Sequence, residues 1–273
     1  MKSKVIKIIT NASLIYWFYA VSVFLYFQFQ DRFNLYISDD SPSYVNFSFN
    51  SLSDIVSQER SFFYPLFLNL VKVISPDFHL LPAAQFIVYA LAGFIFFRGL
   101  RIANFSQIQA LVTALPLLHT QILWRYVHVQ VAEILSVSMA ILTIAFMFMF
   151  VKQTYNNFLL IALSLSLFLT YQTRPSFLFL IPLVPLLTII LLFFFNYHQR
   201  VRNNFYRNIV VKILIACFIP YLLFNILRTS LVNTSGVVSF SGYSLSGITT
   251  RSVESCNKTL QCLGFTQVKS LVY

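Results

Sequence analysis

Long stretches without a charged side chain recur along this sequence and constrain its fold more than any other feature. They run over residues 8–30, 78–97, 102–124, 134–151, 153–173, 175–199 and 213–227. A helix needs about 20 mostly apolar residues to cross the hydrocarbon core of a bilayer. The stretches are continuously apolar rather than alternating, which favours helices over a membrane barrel. The sequence therefore predicts an all-α, polytopic transmembrane helical bundle with about seven spans.

Composition supports a membrane protein and excludes an ordinary soluble domain. Hydrophobic residues make up 58% of the chain and charged residues only 10%, whereas a soluble fold carries about 25% charged residues. The net charge of +11 would suggest nucleic acid binding in a soluble protein. Here the basic residues are scattered between apolar runs, so they predict attachment to the membrane and no nucleic acid partner.

The distribution of charge predicts an orientation. Lys2, Lys4 and Lys7 place the N-terminus in the cytoplasm, because basic residues accumulate on that side of a membrane. Alternating spans then put further basic residues inside, namely Arg98, Arg101, Lys152, Arg200, Arg202, Arg207 and Lys212. All 8 acidic residues fall outside, namely Asp31, Asp39, Asp40, Asp54, Glu59, Asp77, Glu133 and Glu254. We expect a protein of the cell (plasma or inner) membrane whose active face is periplasmic or extracellular.

Two regions are predicted. Residues 1–230 form the transmembrane module, with a long first outer loop at 31–77 whose apolar part, 62–75, is expected to be an interfacial helix. An eighth span there would move Arg98 and Arg101 outside, which the charge distribution disfavours. Residues 231–273 are rich in Ser, Thr, Gly and Asn and predict an outer loop or the start of an outer region. Both a disulfide between Cys256 and Cys262 and two reduced thiols remain open there.

Adjacent carboxylates in the first outer loop are the leading candidates for chemistry. Asp39 and Asp40 could hold a divalent cation such as Mg²⁺ or Mn²⁺. Alternatively, one of them could act as a general base on an acceptor hydroxyl or amine. A solvated turn that caps a helix after Pro42 would explain the same residues without any catalytic role.

Further charged residues lie at the predicted outer ends of the spans. They are Glu59 and Arg60 in the first outer loop, Arg125, His128 and Glu133 between the third and fourth stretches, and Arg174 between the fifth and sixth. The arginines could bind a lipid phosphate or simply extend to the interface, and Glu133 could stabilise a helix N-terminus. Together, carboxylates for an acceptor and guanidinium groups for phosphate suit group transfer from a lipid phosphate donor at the membrane surface.

Several short motifs occur in an order that resembles the GT-C class of membrane glycosyltransferases, such as protein mannosyltransferases and lipid A aminoarabinose transferases. The first are Asp39-Asp40 with Tyr44, and then Arg-Ser-Phe-Phe-Tyr-Pro-Leu-Phe-Leu at 60–68. The approach to Glu133, Thr-Arg-Pro at 173–175 and Phe-Ser-Gly-Tyr-Ser-Leu-Ser-Gly at 240–247 follow. The similarity covers most of the chain through short motifs.

The resemblance implies an inverting transfer of a sugar from a polyprenyl-phosphate donor to a lipid, glycan or protein acceptor. Asp40 or Asp39 would be catalytic, and Arg60, Arg125 and Arg174 would bind the donor phosphate. Tyr44, Glu59, His128 and Glu133 are assigned to substrate binding. No cofactor is carried over from the class, so a divalent cation stays open. Members usually continue into more helices, so a minimal member, a truncated reading frame and a fragment are all consistent with a sequence ending at Tyr273.

Three other functions fit parts of the pattern. A transporter or a flippase of lipid-linked sugar would place ionisable residues or broken helices near mid-bilayer, whereas the predicted spans carry no ionisable residues through their centres. An assembly or scaffold protein would not need its acids on one face. A surface-polysaccharide polymerase or ligase shares the architecture and the chemistry, and sequence alone does not separate it from a transferase.

Overall fold

The computed structural model describes residues 2–58, 60–154, 156–195 and 203–233, and most of these residues are helical, with no strand among them. The α-helices, numbered in chain order, are α1 (Lys2–Phe29), α2 (Ser41–Val45), α3 (Leu52–Ser57), α4 (Phe63–Ile74), α5 (Leu81–Ile102), α6 (Gln107–Ala114), α7 (Gln121–Tyr126), α8 (Glu133–Lys152), α9 (Asn157–Thr173), α10 (Leu180–Phe195) and α11 (Asn203–Val232). Two 3₁₀ turns, Leu115–His119 and Pro175–Phe179, precede α7 and α10.

Five helical segments in the described residues are long and apolar enough to cross a membrane. They are Ala12–Phe29, Leu81–Ile102, Glu133–Lys152, Pro175–Leu192 and Asn208–Val232. Helix α9 is equally apolar but shorter, at 17 residues. These helices confirm an all-helical fold of the integral membrane type.

The third predicted span is not one continuous helix. Its residues are divided among α6, the 3₁₀ turn at Leu115–His119 and α7. Pro116 has no N–H to donate and its ring clashes with the preceding helical turn, so it favours a break at this point. Thr120 then caps α7 by accepting a hydrogen bond from the Leu123 N–H at 3.3 Å. The broken segment still runs from the end of α5 to the start of α8.

The long loop between α1 and α5 contains three short helices, and α4 covers the region expected to be an interfacial helix. Helix α4 buries Tyr64, Leu68 and Val71 and leaves Leu70 and Val73 exposed. Its inner face packs against α2, α5 and α9. The helix is therefore tied to the bundle on one side and apolar on the other, while its position at a membrane interface stays a prediction.

The bundle has two chemically different ends. We call the end where α1 finishes and α8 begins the carboxylate end, because all the acidic residues in the described chain lie in the loop 31–77 or at Glu133. The opposite, basic end carries Arg98 and Arg101 in the last turns of α5 and Lys152 at the end of α8. This segregation agrees with the predicted sidedness, but which end faces the cytoplasm stays a prediction.

Helices α5 and α8 approach each other closely near the basic end. A Cβ atom added to Gly99 would lie 2.9 Å from the backbone oxygen of Ala145 and 3.3 Å from its Cα. A backbone cannot move aside as a flexible side chain can. Gly99 is therefore required by packing rather than by an unusual backbone conformation.

We expect Gly99→Leu to lower stability, because overpacking at a tight contact typically costs about 1–3 kcal/mol. Thermal unfolding of the purified protein in detergent should show a lower midpoint than the wild type. Leu91→Phe, which enlarges an exposed side chain on the same helix, is the control and should change the midpoint little. Equal stability of the Gly99 variant would contradict the close packing of α5 on α8.

Candidate active site

The first loop is held against the segment that leads into α8 by backbone hydrogen bonds. The Tyr36 N–H donates to the His128 carbonyl at 2.8 Å, and the Gln130 N–H donates back to the Tyr36 carbonyl at 3.0 Å. Five residues later, the buried Ser41 hydroxyl donates to the Gln130 carbonyl at 2.9 Å. These bonds bring Asp40, which immediately precedes α2, close to the start of α8.

Asp40 forms an ion pair with Arg60 across the first loop. Arg60 Nη2 lies 2.5 Å from Asp40 Oδ1, and Arg60 Nε donates to the Ser43 hydroxyl at 2.9 Å. The guanidinium also lies 4.8 Å from the centre of the Tyr44 ring. Asp40 stands at the N-cap of α2 but makes no capping hydrogen bond with its side chain. Its carboxylate therefore binds an arginine and does not cap the helix. A turn that serves only to cap α2 would require the capping bond.

Glu133 and Arg174 form a second ion pair. Glu133 is the first residue of α8, and Arg174 directly follows α9, so the antiparallel packing of these two helices brings them together. The Arg174 NH1 nitrogen lies 2.6 Å from Glu133 Oε1. The Arg174 side chain is 45% exposed and the Glu133 side chain 22% exposed. The pair is thus accessible from the carboxylate end.

Tyr44 contacts the first ion pair through Arg60 and is also within the electrostatic influence of the second. Burial raises the pKa of its hydroxyl, Arg60 opposes that rise, Glu133 and Asp40 add to it, and Arg174 opposes it again. All four charged side chains therefore act on the same phenol, which stays protonated and able to donate a hydrogen bond at neutral pH. We call Asp40, Tyr44, Arg60, Glu133 and Arg174 the paired-ion site.

A second tyrosine, Tyr64, packs against the ring of Tyr44. The rings of Tyr44 and Tyr64 meet edge to face, with centres 5.0 Å apart. Tyr64 is fully buried in α4, and burial raises the pKa of its hydroxyl well above the ordinary value. Tyr64 and Ser43 were not predicted as site residues, although both lie inside the short motifs that carried the resemblance. Their aromatic and hydroxyl character alone gave no signal, since Tyr and Ser are common throughout the chain.

Buried polar atoms without a hydrogen bond partner in the described chain occur next to residues of the site. Ser61 Oγ adjoins Arg60, and the side-chain amide of Gln172 lies two residues before Arg174. Gln130 Nε2, beside the backbone that holds Ser41, is a third example. Native proteins satisfy nearly all such groups, so these three side chains are buried polar groups whose hydrogen bonds lie outside the contacts of the described chain.

Three of the predicted site residues lie apart from the paired-ion site. Asp39 is exposed and has no side-chain hydrogen bond or ion pair within the part of the chain that the structure describes. Arg125 is exposed at the end of α7, with its guanidinium 5.5 Å from the Tyr126 ring centre. His128 packs on Tyr36, and burial together with Arg32 lowers the pKa of its imidazole, which is therefore neutral at pH 7.

Four other predicted features lie outside the described residues. They are Glu59, Cys256, Cys262 and the segment 240–247. The substrate-binding assignment of Glu59, the disulfide and the last of the resemblance motifs therefore stay predictions.

A divalent cation at Asp39 and Asp40 would have few protein ligands. Among the described residues, no group of three or more His, Cys, Asp or Glu side chains could hold a metal ion. Arg60 already contributes a positive charge beside Asp40, which opposes the approach of a cation. Mg²⁺ or Mn²⁺ would therefore have two adjacent carboxylates and no third His, Cys, Asp or Glu side chain as ligands within the described chain.

An apolar groove of about 630 Å³ runs between α9 and α11. Its lining is apolar apart from Ser164 and includes Phe168 and Phe224. Both of these rings contact Phe62, with ring centres 6.2 and 6.5 Å away. Phe62 follows Arg60 by two residues, so one end of the groove adjoins the loop that carries the paired-ion site.

No protein family model matches this chain, and no curated protein and no solved structure is significantly similar to it.

Proposed function

We propose that this protein is a membrane glycosyltransferase that moves a sugar from a polyprenyl-phosphate donor to a lipid, glycan or protein acceptor at the outer face of the cell membrane. The observation that carries the proposal is the paired-ion site, where two carboxylates and two guanidinium groups form two ion pairs that both act electrostatically on Tyr44. Carboxylates suit an acceptor hydroxyl, and guanidinium groups suit a phosphate.

The chemistry that we propose balances without any further reactant. Asp40, the most exposed carboxylate of the site, accepts the proton of the acceptor hydroxyl. The acceptor oxygen then bonds to the anomeric carbon of the sugar, and the bond between that carbon and the phosphate oxygen breaks. Arg60 and Arg174 stabilise the negative charge that the leaving polyprenyl phosphate gains. Attack opposite to the leaving group inverts the anomeric centre.

The apolar groove supports a donor with a long hydrocarbon chain. It is large enough for an extended apolar segment, lies between two helices that we propose to cross the membrane, and adjoins Phe62. A prenyl chain lying between α9 and α11 would bring its phosphate toward Arg60. The paired-ion site and the apolar groove are thus adjacent, and they suit the phosphate and the prenyl chain of one donor.

We also propose that the chain crosses the membrane seven times with its N-terminus in the cytoplasm. Five helical segments are long enough by themselves. Helix α9 and the broken segment from α6 to α7 also run between the basic and carboxylate ends, and they would supply the other two crossings. With this arrangement, the paired-ion site faces outward.

The test compares the surface glycans and lipid-linked sugars of three host strains. One carries the intact gene, one a deletion, and one the deletion with the gene restored. We expect the deletion to remove one kind of sugar residue from a surface glycan and to leave the lipid-linked donor of that sugar in the outer leaflet, where it can be labelled from outside. Donor that accumulates only in the inner leaflet would indicate a flippase instead. Loss of glycan length without loss of the first sugar would indicate a polymerase or ligase. An unchanged glycan and lipid profile would contradict the proposal.

A further inference from the structure

A small cavity at the basic end of the bundle lies far from the paired-ion site and has a different chemistry. Its volume is about 200 Å³, and it is lined by Ser13, Phe97, Arg98, Arg101, Ile102 and Gln107. We call it the basic cavity. It lies where the last turns of α5 meet α1 and the start of α6, in the part of the bundle expected at the inner membrane surface.

The charge of the basic cavity is not balanced by protein carboxylates. Every acidic residue of the described chain lies at the carboxylate end. Arg101 donates one hydrogen bond, to the Phe105 carbonyl at 2.6 Å, which leaves most of its donors for other partners. Arg98 has no ion pair or side-chain hydrogen bond within the described residues, and its side chain is exposed. Two cationic groups in one concave site therefore favour an anion.

The neutral residues of the basic cavity narrow the choice of anion. The Ser13 hydroxyl and the Gln107 amide can donate hydrogen bonds, as phosphate oxygens require. Phe97 and Ile102 supply an apolar wall beside them, which a free inorganic anion would not use. Basic pockets between membrane helices on the cytoplasmic side are suited to the head groups of anionic lipids.

We infer that the basic cavity binds the phosphodiester head group of an anionic phospholipid, with its glycerol and first chain carbons against Phe97 and Ile102. The cavity volume corresponds to about six or seven water molecules at ~30 Å³ each, which accommodates a phosphate and its ester atoms. This site is independent of the proposed transfer reaction. It would fix the ends of α1 and α5 and the start of α6 to one leaflet.

The experiment measures thermal unfolding of the purified full chain in detergent as short-chain phosphatidylglycerol is added. We expect a concentration-dependent rise of the midpoint that phosphatidylcholine and sodium phosphate at equal concentration do not produce. One arginine near a membrane contributes about a fivefold effect on affinity. Arg98→Gln should therefore raise the half-saturating concentration of phosphatidylglycerol about fivefold. The double variant, Arg98→Gln with Arg101→Gln, should raise it about thirtyfold.

Lys212→Gln is the matched control, because it removes one positive charge from an exposed position near the start of α11 without touching the basic cavity. It should bind phosphatidylglycerol like the wild type. The double variant loses the hydrogen bond from Arg101 to the Phe105 carbonyl and could therefore fold less well. The single Arg98 variant keeps this bond, so it tests the inference by itself. The inference is overturned if phosphatidylcholine or sodium phosphate is equally effective, if Arg98→Gln binds normally, or if Lys212→Gln weakens binding as much.

Discussion

Replacing Asp40 with asparagine should reduce sugar transfer by about 10²–10⁴-fold, the usual contribution of a general base. Asparagine keeps the size of the side chain but cannot accept the acceptor's proton. Folding should change little, because the Asp40 side chain is 61% exposed and the asparagine amide oxygen can still accept a hydrogen bond from Arg60. The measurement is the initial rate of polyprenyl phosphate release in vesicles, with protein quantified by blot.

Asp39→Asn is the matched control, since it makes the same chemical change at the neighbouring exposed residue. We expect its activity to stay within about threefold of the wild type, because Asp39 makes no side-chain contact with the paired-ion site in the described chain. Loss of activity in the Asp39 variant alone would move the catalytic role to that residue. Normal rates for both variants at normal abundance would remove the pair from catalysis and favour transport or a scaffold role.

Replacing Arg60 with glutamine should weaken the apparent affinity for the donor by about 10–100-fold, because hydrogen bonds between a guanidinium and phosphate are charge-assisted. Arg60 is mostly buried and is oriented by Ser43 and Tyr44. The apparent donor affinity of Arg60→Lys should lie between those of the wild type and Arg60→Gln, since lysine keeps the charge but not the planar guanidinium group. The measurement is the dependence of transfer rate on donor concentration, which separates binding from the chemical step.

Arg125→Gln distinguishes the site seen in the structure from the wider set of arginines that the sequence indicated. It removes an exposed arginine at the same end of the bundle, one that contacts Tyr126 rather than the paired-ion site. We expect its donor dependence to match that of the wild type. A large effect at Arg125 with none at Arg60 would show that the donor phosphate binds elsewhere.

Five of the seven charge-free stretches coincide with helices of the described residues that are long and apolar enough to cross a membrane, but the stretches predicted helix ends less well. Helix α5 extends past the predicted end to include Arg98 and Arg101, because basic residues are favourable in the last turn of a helix. The stretch at 102–124 contains Pro116 and Thr120, which break it into short pieces. Hydropathy depends on side chains alone, so it does not detect the missing backbone N–H of Pro116 or the helix cap formed by Thr120.

The residues of the candidate site were predicted as a set, but their pairing was not. Asp40 and Arg60 are 20 residues apart, and Glu133 and Arg174 are 41 apart, so no helical or strand spacing links them. Their contacts depend on the packing of α9 on α8 and on the attachment of the first loop to residues 127–131. Sequence also could not distinguish Asp40 from Asp39, because only the fold decides which of two neighbours meets an arginine.

The attachment of the first loop has an evolutionary consequence. The hydrogen bonds of Tyr36 with His128 and Gln130 use backbone groups only, so these side chains can be exchanged without breaking those bonds. Mutations there would remodel the rim around the paired-ion site while Asp40 kept its place. A lineage could therefore drift from one acceptor to another through substitutions at this rim, without first losing the ion pairs on which we propose transfer depends.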